Sequence, residues 1–137
     1  MSSSERRVVI SPRAPKANPT YSPAVVHNGI VYCSGSVGTD PKTMTVVKGT
    51  IGDRTIQALT NLANVLEAAG SCKENILKVN IYVTNMNDVP TMNEAYNKFF
   101  AEPRPARATV AVAALARGTD VEIECTAFIS RDKLAKL

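Results

Sequence analysis

The chain has 137 residues, 45% of them apolar (AVILMFWYC), 20% charged and 5% aromatic, with no Trp. This is the composition of one globular domain with a Val, Ile, Leu and Ala core, and it excludes a disordered, fibrous or two-domain chain. The formal charge of +4 is mostly local, because Arg6, Arg7, Arg13 and Lys16 against Glu5 give +3 within residues 1–20, so a basic arm explains the excess without a nucleic-acid surface.

Residues 1–20 read as an extended basic N-terminal arm, since Pro12, Pro15 and Pro19 deny it a helix; residues 21–137 read as a single domain with no interior linker. The longest early apolar run, Val8-Val9-Ile10, is far shorter than the apolar region of a signal peptide, and no stretch approaches a membrane span. The expectation is a soluble, cytoplasmic protein. The Ser- and Arg-rich start raises a mitochondrial-matrix alternative, which Pro12 and Pro15 oppose.

Asn28-Gly29 stands between two β-rich runs, the preferred two-residue turn, and predicts a hairpin from Ala24 to Gly35. After a turn at Asp40-Pro41, a short strand is expected from Met44 to Val47. Thr50 and Asp53 stand in capping spacing ahead of Ile56, Leu59, Ala63 and Leu66, with Leu62 and Val65 beside them, which predicts a one-sided helix ended by Gly70. Ile76, Val79, Ile81 and Val83 alternate with Lys78, Asn80, Tyr82 and Thr84 as in a strand buried on one face. Asn87 or Asp88 as cap, Pro90 in the first turn, and Val89, Met92, Ala95, Tyr96 and Phe99 at helical spacing predict a second helix ended by Pro103. Two final strands, ARATVAVAAL and TDVEIECTAFI, are joined at Arg117-Gly118.

This order predicts an α/β (α+β) two-layer sandwich, a mixed β-sheet with two helices on one face. Strand alternation then places Ala108, Val110, Val112 and Ala114 with Val121, Ile123 and Cys125 against the helices. It puts Arg107, Thr109, Ala111 and Ala113 with Glu122, Glu124 and Thr126 on the open face. Small residues at successive outward positions suit close approach of another sheet, so the open face is expected to pack against other subunits; an Ala-rich exposed face is the alternative.

In this phase Arg107 and Glu124 face the same way. An arginine fork beside small residues offers a bidentate grip to a small carboxylate, and a nearby Glu can hold water or take a proton. A structural Arg–Glu pair without substrate is the alternative reading. Glu122 shares the face with Glu124 and would raise its pKa if both were buried. Cys33, Cys72 and Cys125 have no CxxC or Cys/His spacing and His27 is the single histidine, which argues against a zinc site; Cys33 and Cys125 fall in strands as small buried hydrophobes, fitting a reducing compartment, and Cys72 follows the first helix in a turn. No GxGxxG, GxxxxGK[ST] or GxSxG pattern is present, and no cofactor is called for.

The segments YCSGSVG, NVLEAAG, NMNDVPTMNEAYNKFF, RPARATVAVAAL and VEIECTAF, in this order, resemble the reactive intermediate deaminase family (RidA, YjgF-type, also called endoribonuclease L-PSP) over about Tyr21 to Ile129. The resemblance implies a chorismate-mutase-like homotrimer with clefts between subunits. It also implies cofactor-independent hydrolysis of the enamine and imine intermediates (2-aminoacrylate, 2-iminopropanoate, 2-iminobutanoate) released by pyridoxal-phosphate dehydratases, giving 2-keto acids and ammonia. Carried over residue by residue, it implies that Arg107 grips the substrate carboxylate and Glu124 positions or activates water, while Tyr21, Ser34, Gly35, Asn93 and Thr109 line the cleft. Thr109 stands where many members have cysteine. An RNA-directed endoribonuclease or translation inhibitor and a noncatalytic metabolite-binding module are the competing functions; neither an aromatic-basic RNA motif nor a histidine pair supports the first.

Overall fold

The computed structural model describes residues 5–135. Six strands, β1 (Arg7–Val9), β2 (Ala24–His27), β3 (Ile30–Cys33), β4 (Ile76–Val83), β5 (Ala106–Ala111) and β6 (Val121–Phe128), form one sheet in the order β1-β2-β3-β6-β4-β5. The β4–β5 pair is parallel and every other pair antiparallel, so the sheet is mixed and the fold α+β. The hairpin turns at Asn28 and Gly29, both with positive φ (51° and 77°), the conformation that a two-residue type I′ turn requires.

Helix α1 (Ile51–Ala69) starts where the spacing predicts. Thr50 Oγ1 accepts the Asp53 N–H at 3.2 Å and Asp53 Oδ2 accepts the Thr50 N–H at 2.9 Å, closing a capping box. Gly70, at φ 92°, ends the helix in the left-handed region, with its N–H on Glu67 O at 3.1 Å and that of Ser71 on Leu66 O at 2.8 Å. Helix α2 (Val89–Phe99) follows β4; Asp88 occupies its cap position without a side-chain bond, and Asn85 instead caps the preceding turn by accepting the Asn87 N–H at 2.9 Å. A last helical turn, α3, spans Arg131–Leu134.

Both long helices pack on one face of the sheet. Leu59, Leu62 and Leu66 of α1 and Met92 and Tyr96 of α2 share one buried cluster with Val31, Val79, Ile81, Val83, Val121, Ile123 and Ala127. Arg54 ties α1 to the start of β6, its fork meeting Asp120 at 2.7 and 2.8 Å. No helix among the described residues is long and apolar enough to cross a membrane.

The structure corrects the sequence reading in three places. The proline-rich arm contributes a strand: Arg7–Val9, ahead of Pro12, pair with β2, Val9 is buried, and Arg7 Nη2 donates to Ala69 O at 3.1 Å. Met44–Val47 is no strand, because Met44 takes φ 59° and only Thr39 and Val46 bridge there.

The third correction concerns the phase of β5. Val79 is paired with both Arg107 and Cys125, and Asn80 with both Ala108 and Glu124. Paired residues point to the same side of a sheet, so Arg107 and Thr109 face the helices, whereas Ala106, Ala108 and Val110 lie with Glu122 and Glu124 on the open face. Strand β5 is an edge strand with Ala at both phases, so its polarity gave the wrong parity: its two half-buried polar residues are turned inward, toward α2.

Candidate active site

The end of β3 and the arm enclose a cleft of about 140 Å³ whose walls include Lys16, Tyr21, Ser34, Gly35, Arg117 and Glu122. Ser34 fixes the arm where it enters: its Oγ donates to Ser22 O at 2.6 Å and its N–H to Pro23 O at 2.9 Å. Tyr21, 54% exposed, stands at the opening. Behind the cleft Asn61 of α1 is locked, donating to Thr39 O at 2.7 Å and accepting from Gln57 at 2.9 Å.

Glycine at position 35 matters because of its neighbour rather than its backbone angle. A Cβ there would lie 2.8 Å from both Cδ and Oε2 of Glu122, so the absence of a side chain is what admits that carboxyl to the cleft. Burial, and then the charge of Glu124, raise the Glu122 pKa above the usual carboxylate range. Glu124, two residues on, does not line the cleft; the hydroxyl of Tyr82 donates to its Oε1, and that bond, with burial, raises the Tyr82 pKa.

Arg107 lies apart from this cleft, on the helix side of β5, with its Cζ 4.8 Å from the centroid of the Tyr96 ring. Because β4 and β5 are parallel, α2 crosses back antiparallel to both. One turn back along α2 from Tyr96 to Asn93 therefore corresponds to two residues forward along β5, from Arg107 to Thr109. Asn93 Oδ1, Tyr96 Oη and Thr109 Oγ1 are all buried without a hydrogen-bond partner. Buried polar atoms are nearly always paired, so the unpartnered Asn93 Oδ1 and Thr109 Oγ1 mark polar groups left open on α2 and β5. Arg104, by contrast, pairs with the exposed Glu102 at 3.3 Å.

The family model for endoribonuclease L-PSP matches residues 11–129. The chain belongs to this family. Among endoribonuclease L-PSP relatives, a 2-iminobutanoate/2-iminopropanoate deaminase of Mus musculus is 43% identical over 127 residues, 93% of this chain and 94% of the relative. The solved structure of RidA from an Antarctic Psychrobacter superposes with a TM-score of 0.86 at 38% identity, over 90% of this chain and 99% of that one. Escherichia coli TdcF with bound serine gives 0.86 at 31% identity, over 90% and 99%.

In this endoribonuclease L-PSP member the residues expected to form one site fall into two groups. Tyr21, Ser34 and Gly35 meet in the cleft; Arg107 and Thr109 lie on the inward face of β5, with Arg107 against Tyr96 of α2, and Asn93 stands one turn before that ring. Glu124 joins neither. Sequence reasoning missed Glu122 as the cleft carboxylate, because both glutamates of VEIE share one phase and alternation cannot choose between them; only the contact with Gly35 does. Arg117 and Lys16 were also missed as cleft cations. Arg117 holds φ 59° and donates from Nη1 to Met44 O at 2.7 Å, which fastens the two loops at the rim. Among the described residues no group of three or more His, Cys, Asp or Glu converges as a metal site. Cys33 and Cys125 are buried and Cys72 half-buried; His27 is half-buried with its Nε2 3.1 Å from Asn28 Nδ2.

Proposed function

We propose that the chain is a cofactor-independent 2-iminobutanoate/2-iminopropanoate deaminase, hydrolysing enamine and imine products of pyridoxal-phosphate dehydratases to 2-keto acids and ammonia. The observation that carries this reading is Arg107, whose fork lies against the Tyr96 ring and enters no ion pair or hydrogen bond among the described residues; Glu122 in the cleft supplies the carboxyl. The family membership and the deaminase name of a 43% identical relative support it.

The chemistry asks little of the protein. With the substrate carboxylate on the Arg107 fork, the Glu122 carboxylic acid protonates the β-carbon of the enamine and leaves an iminium ion. The resulting carboxylate then takes a proton from a water molecule as its oxygen adds to the iminium carbon. The Glu122 acid then passes that proton to the carbinolamine nitrogen and takes up the hydroxyl proton as C–N breaks, so ammonia departs, the keto acid remains and the carboxylic acid is restored. A carboxyl with a raised pKa suits both the acid and the base step. Glu122 takes the role expected of Glu124. Tyr21, Ser34 and Gly35 shape the cleft around the reacting carbon, and Asn93 and Thr109 surround the carboxylate.

Within one chain Arg107 and Glu122 lie on opposite faces of the sheet, so a site using both needs two copies. A chorismate-mutase-like homotrimer with clefts between subunits supplies that. The exposed Tyr32, Val110 and Phe128, with Ala106 and Ala108 on the open face, suit such packing. We assign the activity to the cytoplasm, with the mitochondrial matrix as the alternative that the arm raises. The endoribonuclease name of the family is not carried over, because the sequence has one histidine and cannot supply a histidine pair within a chain.

The test generates 2-aminoacrylate in situ with a serine dehydratase and follows keto-acid release. Wild type accelerates it. Arg107→Ala lowers kcat/KM at least about 30-fold, the roughly 2 kcal/mol or more lost when one partner of a buried charge pair is truncated, while Arg104→Ala does not. Equal acceleration by wild type and Arg107→Ala overturns the reading.

A further inference from the structure

The guanidinium of Arg107 is held by a ring rather than by an acid. Its Cζ lies 4.8 Å from the Tyr96 centroid, and its side chain enters no ion pair or hydrogen bond among the described residues. Arg54 shows the contrast, its fork filled by both carboxylate oxygens of Asp120. A carboxylate would fix an arginine equally well but would occupy its N–H donors. The face of an aromatic ring attracts the cation through its quadrupole and occupies none of the five.

Tyr96 is itself closely packed. It is 2% exposed, its ring lies 4.8 Å from Phe100 at 52°, and Phe100 meets Phe99 edge-on at 5.0 Å. Its hydroxyl is buried without a partner, so no polar contact of the hydroxyl holds the ring in place. The ring is fixed by packing alone, and what it offers Arg107 is a flat electron-rich face.

We infer that Tyr96 is a positioning residue: its ring is the floor that holds the Arg107 guanidinium in place with every N–H donor open to the substrate carboxylate. This rests on the proposal that Arg107 grips that carboxylate. It predicts that the ring matters and the hydroxyl does not.

Calorimetric titration of the full chain with 2-oxobutanoate, a keto acid of the product class, tests it. Tyr96→Phe binds within about twofold of wild type, and Tyr96→Leu binds about 3- to 30-fold more weakly. In an Arg107→Ala background, Tyr96→Leu changes nothing further, because it acts through that arginine. Should the leucine variant fail to fold, phenylalanines with successive ring fluorines at position 96 keep the shape and withdraw electron density from the face, and affinity falls stepwise with each fluorine. An equal loss in the Arg107→Ala background, no trend with fluorination, or a loss in Tyr96→Phe as large as in Tyr96→Leu overturns the inference. If Arg107→Ala weakens binding and Tyr96→Leu does not, the inference alone fails; if Arg107→Ala binds normally, the carboxylate-grip reading fails with it.

Discussion

Glu122 carries a cost that can be measured apart from catalysis. Burial, and then Glu124, raise its pKa in the folded chain above the ordinary carboxylate value. At low pH the group is protonated in both states and folding bears no penalty. As pH rises through the unfolded value, the unfolded chain gains by ionising first, and stability falls until the folded pKa is passed. Glu122→Gln is therefore expected to raise the melting temperature at about pH 7, with the gain shrinking toward zero as pH drops below the ordinary carboxylate range. The same substitution is expected to abolish most of the deaminase activity, whereas Glu124→Gln leaves more of it. Thermal melts across pH beside the dehydratase-coupled assay separate the two effects. A Glu122→Gln variant less stable than wild type near neutrality contradicts a carboxyl whose pKa is raised by partial burial. The exchange of stability for chemistry at one residue is common at catalytic sites.

At the scale of elements, local signals and long-range ones separate cleanly. The capping box at Thr50 and Asp53 was readable because it needs only four residues, and Thr50→Ala is expected to lower unfolding free energy by about 1 kcal/mol in urea titrations. The hairpin at Asn28-Gly29, the Gly70 stop and the apolar stripes of α1 and α2 were equally legible, for the same reason. Strand β1 was not, because its pairing with β2 lies outside any local window and the prolines after it dominate the composition. The phase of β5 was not, because alternation identifies a buried face only when that face is apolar. Here the inward residues are Arg107, turned toward the Tyr96 ring, and Thr109, whose hydroxyl is buried without a partner among the described residues. Polar residues at inward positions break the pattern of alternation, so the periodicity placed Arg107 and Thr109 on the wrong side. The family motifs named Arg107, Tyr21, Ser34 and Glu124 without knowing the phase; in the single chain Tyr21 and Ser34 line the cleft with Glu122, while Arg107 and Glu124 lie outside it.

For the whole molecule, the proposed function divides its residues between two faces and so ties activity to assembly. Ala108 lies on the open face of β5, exposed in the single chain. If copies pack there, Ala108→Lys is expected to leave the monomer folded by circular dichroism yet shift its mass in solution to that of one chain, with loss of keto-acid release. A wild-type chain that is active and monomeric removes the need for a second copy. The strand order has a different consequence, which concerns synthesis. Strands β1, β2 and β3 form one half-sheet and β4 and β5 another, and β6 alone is paired to both. It is also the last of the six to leave the ribosome. Until Val121–Phe128 emerges, the nascent chain holds two unjoined half-sheets, each with an open edge, so the core cannot close before that strand is made. Its keystone arrives last, and any message cut short before that strand yields two exposed edges instead of an enzyme.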